Sequence, residues 1–217
     1  MTSNLAARKR QKRALNIPSP DRKGNIKVTR AGWIECAKVV LIEEGIGAVK
    51  IDRLARRLGV TRGGFYYHFK NHHSLLEDLL LAWREQNRFT PPELDASSPA
   101  KALVALETIC DNLIHERGFD PQFDLAVREW ARVSKPVAQV VHAVDDERTA
   151  EMQRVFRGLG CDAAEAFIRA KVLYTHQIGT YTIGVDESTA TRERNLKRYL
   201  DVLGGEAYRH ALGSKTG

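Results

Sequence analysis

An all-α fold in two parts is predicted for this chain, on three observations. Apolar residues recur at helical spacing in almost every ordered stretch. No segment shows strand-like alternation of useful length, and prolines at 18, 20, 91, 92 and 99 punctuate the chain. The 217 residues, 43% hydrophobic and 28% charged, suffice for one or two domains with buried cores.

The first helix is expected over about Thr29–Glu44, with Trp33, Ile34, Ala37, Val40 and Leu41 on one face and Gly45 as its stop. A second, about Ile51–Leu58, turns Ile51, Leu54, Ala55 and Leu58 inward and ends at Gly59. Thr61 is placed to cap a short third helix, about Arg62–His68, and Asn71 a fourth carrying Leu75, Leu76, Leu79, Leu80 and Trp83. Beyond the proline-rich break, a fifth helix opens with a Ser98 cap and Pro99. A sixth spans about Pro121–Val133, and a seventh about Pro136–Arg157. The eighth opens with the capping box Asp162–Glu165 and runs to about Ile183. The ninth runs from a Ser188 cap to about Leu203, where Gly204-Gly205 should end it.

Charge is distributed unevenly. Residues 1–90 hold 18 Lys+Arg against 8 Asp+Glu, whereas residues 91–217 hold 16 against 19. A basic excess confined to the N-terminal part points to an anionic polymer as its partner. The densest stretch, Arg8 to Arg13, lies in a basic and flexible arm, 1–26, which is either a solvated tail or a DNA contact. Three cysteines, at 36, 110 and 161, are too few and too widely spaced for a disulfide framework. No apolar run approaches the roughly 20 residues of a membrane span, and no leader-like segment opens the chain. The expectation is a reduced, cytoplasmic, soluble protein.

Residues 51–69 carry the most specific pattern: helix, Gly-centred turn, short helix, which is a helix-turn-helix. In that motif the second helix enters the major groove with its N-terminal residues against base edges. Arg62 begins that helix, and its fork matches guanine O6 and N7. Gly63 and Gly64 each cost about 0.8–1.0 kcal/mol relative to Ala in a helix, a cost accepted where backbone must closely approach another molecule. Tyr66, Tyr67 and His68 add hydroxyl, aromatic face and imidazole, while Phe65 and Phe69 are expected in the core.

The stretch from Thr29 to Trp83 resembles the DNA-binding domain of the tetracycline-repressor (TetR) family of bacterial transcriptional regulators. The match rests on Gly59-Val60-Thr61-Arg62-Gly63-Gly64-Phe65-Tyr66-Tyr67-His68-Phe69, followed by Asn71 and Leu75-Leu76. The resemblance implies a helix-turn-helix DNA-binding domain over 27–90 and a helical ligand-binding and dimerisation domain over 98–212. It implies that Arg62 reads bases, that Tyr67 meets bases or sugar, and that Gly64, Tyr66, His68 and Lys50 meet phosphate. Arg30, Thr61, Gly63 and His72 complete the expected DNA-binding set. Two positions depart from the family pattern: Lys50 stands where a capping Thr is common, and His72 where Lys is usual.

The resemblance further implies a homodimer formed through the two C-terminal helices on a palindromic operator. The two recognition helices should then lie roughly 34 Å apart. A small-molecule effector is expected to displace helix six and swing helix four, releasing a repressor. The effector pocket is expected between helices five, six and eight, walled by Cys110, Phe123, Trp130, Tyr174 and Gln177, for a largely hydrophobic ligand. Arg128 or His142 would change that chemistry if either points inward. On the eighth helix, Phe167, Ala170, Tyr174, Gln177 and Tyr181 suit the pocket, and Ile168, Val172, Thr175, Gly179 and Thr182 suit close helix contact. No metal site, cofactor or catalytic constellation is expected, since His68, His72 and His73 lack a suitable spacing on one helix. A ligand-independent DNA-binding or architectural protein is the alternative, favoured by a packed domain without a cavity.

Overall fold

The computed structural model describes residues 28–213 apart from 92; the basic arm 1–26 lies outside the described residues. Among those described there are nine α-helices and no strand. They are α1 (Arg30–Glu44), α2 (Ile51–Leu58), α3 (Arg62–His68), α4 (His72–Gln86), α5 (Pro99–Ile114), α6 (Pro121–Val133), α7 (Lys135–Gly158), α8 (Ala163–Thr182) and α9 (Thr189–Gly213). A short 3₁₀ turn, Ile46–Ala48, joins α1 to α2 and was not signalled by periodicity.

The helix starts follow from capping chemistry. Thr29 accepts from Gly32 N at 3.1 Å, and Asn71 and Ser74 form a reciprocal box at the head of α4. Ser98, Asp120 and Asp162 accept from the third residue of α5, α6 and α8 respectively. Gly59 ends α2 at φ +68°, a left-handed conformation that any β-carbon would disfavour. Thr61 is different. It occupies the N-cap of α3 with no side-chain bond, because Gly64 N–H is already taken by the Thr61 carbonyl at 3.1 Å. The expected Thr61 cap is thus replaced by a tight main-chain turn. The expected end of α9 is also revised. Gly205 breaks the helix at φ +57°, ψ −141°, but helix resumes beyond it because Tyr208 and Ala211 bury against the core.

Two apolar cores form. One joins α5, the C-terminal half of α7, α8 and α9 through Leu106, Ile109, Phe156, Ala170 and Leu200. The other gathers Trp33, Leu54, Phe65, Phe69, Leu79 and Trp83 from α1–α4 and continues into Phe123, Val127 and Trp130 of α6 and Val137 and Val141 of α7. The helix-turn-helix is therefore packed on α6 and the start of α7.

A buried polar network ties these elements together. Trp83 donates to Asp124, Arg128 forks onto Asp145 at 2.7 and 2.9 Å, and Tyr174 donates to Asp145 at 2.5 Å. Arg148 bonds the Asn87 carbonyl and lies over the rings of Trp83 and Phe89. Two guanidiniums face two carboxylates, so charges taken out of water are compensated. Burial pushes the Tyr174 phenol above its ordinary range.

Candidate nucleic-acid interface

Helix α3 buries one side chain, Phe65, which meets Trp33 edge-on at 5.4 Å and stacks on Phe69 at 5.1 Å. That aromatic clasp is worth more than its area alone. It fixes α3 on the domain and turns the remaining residues outward. Arg62 and Gly63 are exposed, and Tyr66 and Tyr67 are 53% and 82% exposed. An aromatic ring left that open gains little from folding.

The glycines are not required by the fold. A β-carbon on Gly63 would meet Thr61 Oγ1 at 3.6 Å, and one on Gly64 the Trp33 ring at 4.0 Å, both ordinary contacts. Their helix cost is accordingly not offset inside the described chain.

Lys50 is exposed at the N-cap of α2 with no side-chain cap bond. His72 accounts for how that helix start is held: its Nε2 lies 2.7 Å from the Val49 carbonyl, anchoring the chain just before α2. His68 does the same for the segment entering α1, with Nε2 2.7 Å from the Val28 carbonyl. Both imidazoles thus brace the interface from behind. Arg30 is likewise engaged. Its Nε bonds Asp78 at 2.7 Å, its Nη1 bonds the His68 carbonyl, and its guanidinium lies 4.4 Å over the Phe69 ring. These contacts clamp the C-terminal end of α3, a role that charge counting alone did not signal.

The residues expected around an effector separate into two groups. Cys110 and Gln177 line a cavity of about 60 Å³ between α5, α8 and α9, together with Leu106, Leu113, Arg192 and Leu196. Phe123 and Trp130 face the helix-turn-helix core instead, where Lys38 lies 4.8 Å over the Phe123 ring. Tyr174 is drawn into the Arg128–Asp145 network. Arg128 is consumed there too, and His142 is exposed, so neither supplies a charge to the cavity. Arg192 and His176, missed in the sequence, do lie at the cavity. Burial pushes the Cys110 thiol up to about 12, with Glu107 adding to the shift, so the cavity holds no reactive thiolate near neutrality.

The outer face of α8 and α9 carries exposed Phe167, Ile168, Val172, Tyr199 and Val202. Phe167, expected on the pocket side, is on this face because α8 buries Ala166, Ala170, Leu173, Tyr174 and Gln177. Ala164, Ile168, Val172, Val202 and Leu203 border an open groove there. Among the described residues no helix is long and apolar enough to cross a membrane, and no metal-binding cluster occurs.

These features coincide with known proteins. Residues 34–79 match the model for bacterial regulatory proteins of the tetR family. The chain is 40% identical over 52 residues to the transposon Tn10 TetC protein of Escherichia coli, covering 24% of this chain and 26% of that one. It therefore spans only about a quarter of that relative's length. It is 36% identical over 133 residues to the HTH-type transcriptional regulator TtgW of Pseudomonas putida, covering 61% of this chain and 77% of TtgW. The fold is shared with a transcriptional regulator from Rhodococcus sp. Rha1, at a TM-score of 0.56 and 18% identity over 86% of this chain and 97% of that one. With the motif, the fold and the extent of the likeness to TtgW in agreement, this chain belongs to the tetR family of bacterial transcriptional regulators.

Proposed function

We propose that this protein is a cytoplasmic, non-enzymatic repressor that binds a palindromic operator as a homodimer and is released by a small, largely hydrophobic molecule. The reading part is 27–90, and the sensing and dimerising part 98–212. The observation that carries the proposal is the outward set on α3: Arg62, Gly63, Tyr66 and Tyr67 exposed on a helix held by Phe65 alone. Arg62 reads a base edge, Tyr67 meets base or sugar, and Lys50, Thr61, Gly64 and Tyr66 position the helix on phosphate. The exposed apolar face of α8 and α9 suits a second copy of the chain, which would place two α3 helices on successive grooves. Binding to duplexes selected from a randomised pool tests this. Recovery of an inverted repeat supports the proposal, and an unselective outcome opposes it.

The effector would enter between α5, α8 and α9, where leucines form the walls and Gln177 and Arg192 offer hydrogen bonds. The alternative, a regulator without a ligand, is favoured by one observation. The cavity, about 60 Å³, is well below the roughly 300–1,000 Å³ of small-molecule sites, so α9 would have to move outward to admit an effector.

A further inference from the structure

We infer that Asp52 is a positioning residue for base reading: it holds Arg62 so that its terminal amino groups face a guanine. The inference rests on the proposal that α3 reads DNA. Asp52 lies in the first turn of α2, and its Oδ1 is 3.0 Å from Arg62 Nε, at the first position of α3. Among the described residues it is the one acidic group within ion-pair distance of Arg62. The other basic groups of α2 that form ion pairs turn away: Arg53 to Glu44, and Arg57 to Glu43 and Glu44 of α1.

A carboxylate at this place has no adequate reason in the protein alone. The two side chains are 60% and 61% exposed, and an ion pair that open contributes about 0–1 kcal/mol. A helix start favours an acid, but that preference does not require an arginine beside it. Toward DNA, a negative charge on this surface works against phosphate attraction. What it does supply is direction. A long, free arginine can swing to the nearest phosphate, a contact that carries no sequence information. With Nε drawn to Asp52, the Nη1 and Nη2 amino groups remain for guanine O6 and N7. Asp52 therefore gives up general affinity for discrimination.

The test uses the full chain, wild type and Asp52→Asn, with a duplex that the wild type selects from a randomised pool and a scrambled duplex. A third duplex carries 7-deazaguanine at the guanine that Arg62→Ala renders indifferent. Thermal melting confirms that both proteins are folded. For Asp52→Asn, the preference for selected over scrambled DNA should fall by about tenfold, a fraction of what a bidentate guanine contact supplies. Binding to scrambled DNA should hold or rise, and the 7-deazaguanine penalty should shrink. Parallel weakening on all duplexes would make Asp52 merely structural and overturn the inference. An unchanged preference would do the same, as would a loss confined to a cytosine that Asp52 itself contacts. A wild type that selects nothing would remove the DNA-reading proposal itself, a result distinct from any of these.

Discussion

Trp83 donates its indole N–H to Oδ1 of Asp124 at 3.0 Å, with both side chains buried. The bond runs from the last turn of α4 to α6, so the helix that carries the reading unit is fastened to the rest of the chain. Asp124 also accepts from Arg128 Nε at 2.7 Å and lies 3.8 Å from Arg148. Asp124→Ala should therefore cost about 3–5 kcal/mol, because it strands buried guanidiniums as well as an indole donor. Urea unfolding measures this, and a loss under about 1 kcal/mol would show that the network does not hold the junction.

Gly64 lies inside α3 with room for a methyl group. Gly64→Ala should raise stability by up to about 1 kcal/mol, seen as a higher urea midpoint at constant slope. A destabilised variant would mean that the fold itself demands the glycine.

Val172 and Val202 are 47% and 77% exposed on the outer face of α8 and α9. Replacing both with Glu should leave the isolated chain folded while opposing apolar association, so sedimentation should report monomers that bind operator DNA weakly. A dimer of undiminished strength would move the interface elsewhere.

Burial pushes the Cys36 thiol up to about 11 and the Cys110 thiol up to about 12, from an ordinary value of 9.0. Both hold their protons more tightly folded than unfolded. Their contribution is fully present below about pH 9 and is lost as pH rises through 9 to 11 or 12. The melting temperature should be flat near neutrality and fall above that threshold. Cys110→Ala should lower it throughout and flatten the fall. Equal slopes in both proteins would contradict the burial of that thiol.

Most helices were legible in the sequence because their ends carry side-chain chemistry: Thr29, Asn71, Ser98 and Asp162 cap where the pattern placed them. The exposed set on α3 was legible because Phe65 and Phe69 stand four apart and force the rest outward. The bracing roles of Arg30, His68 and His72 were not, since each depends on a carbonyl 23 to 40 residues away in sequence. Periodicity marks the apolar stripe of α6 but not its partner. Phe123 and Trp130 were therefore assigned to a pocket, whereas their face of α6 meets the helix-turn-helix. The same limit applies to α9, where Gly205 breaks the helix but the buried Tyr208 restarts it.

The central claim is that α3 reads sequence through Arg62 while Lys50 only positions it. Binding of the wild type, Arg62→Ala and Lys50→Ala to selected and scrambled duplexes across a range of salt tests it most directly. Arg62→Ala should lose about 1–3 kcal/mol on the selected duplex and little on the scrambled one, while Lys50→Ala should weaken both alike and reduce the salt slope by about 1. An Arg62→Ala protein that distinguishes the two duplexes as well as the wild type does would contradict the account.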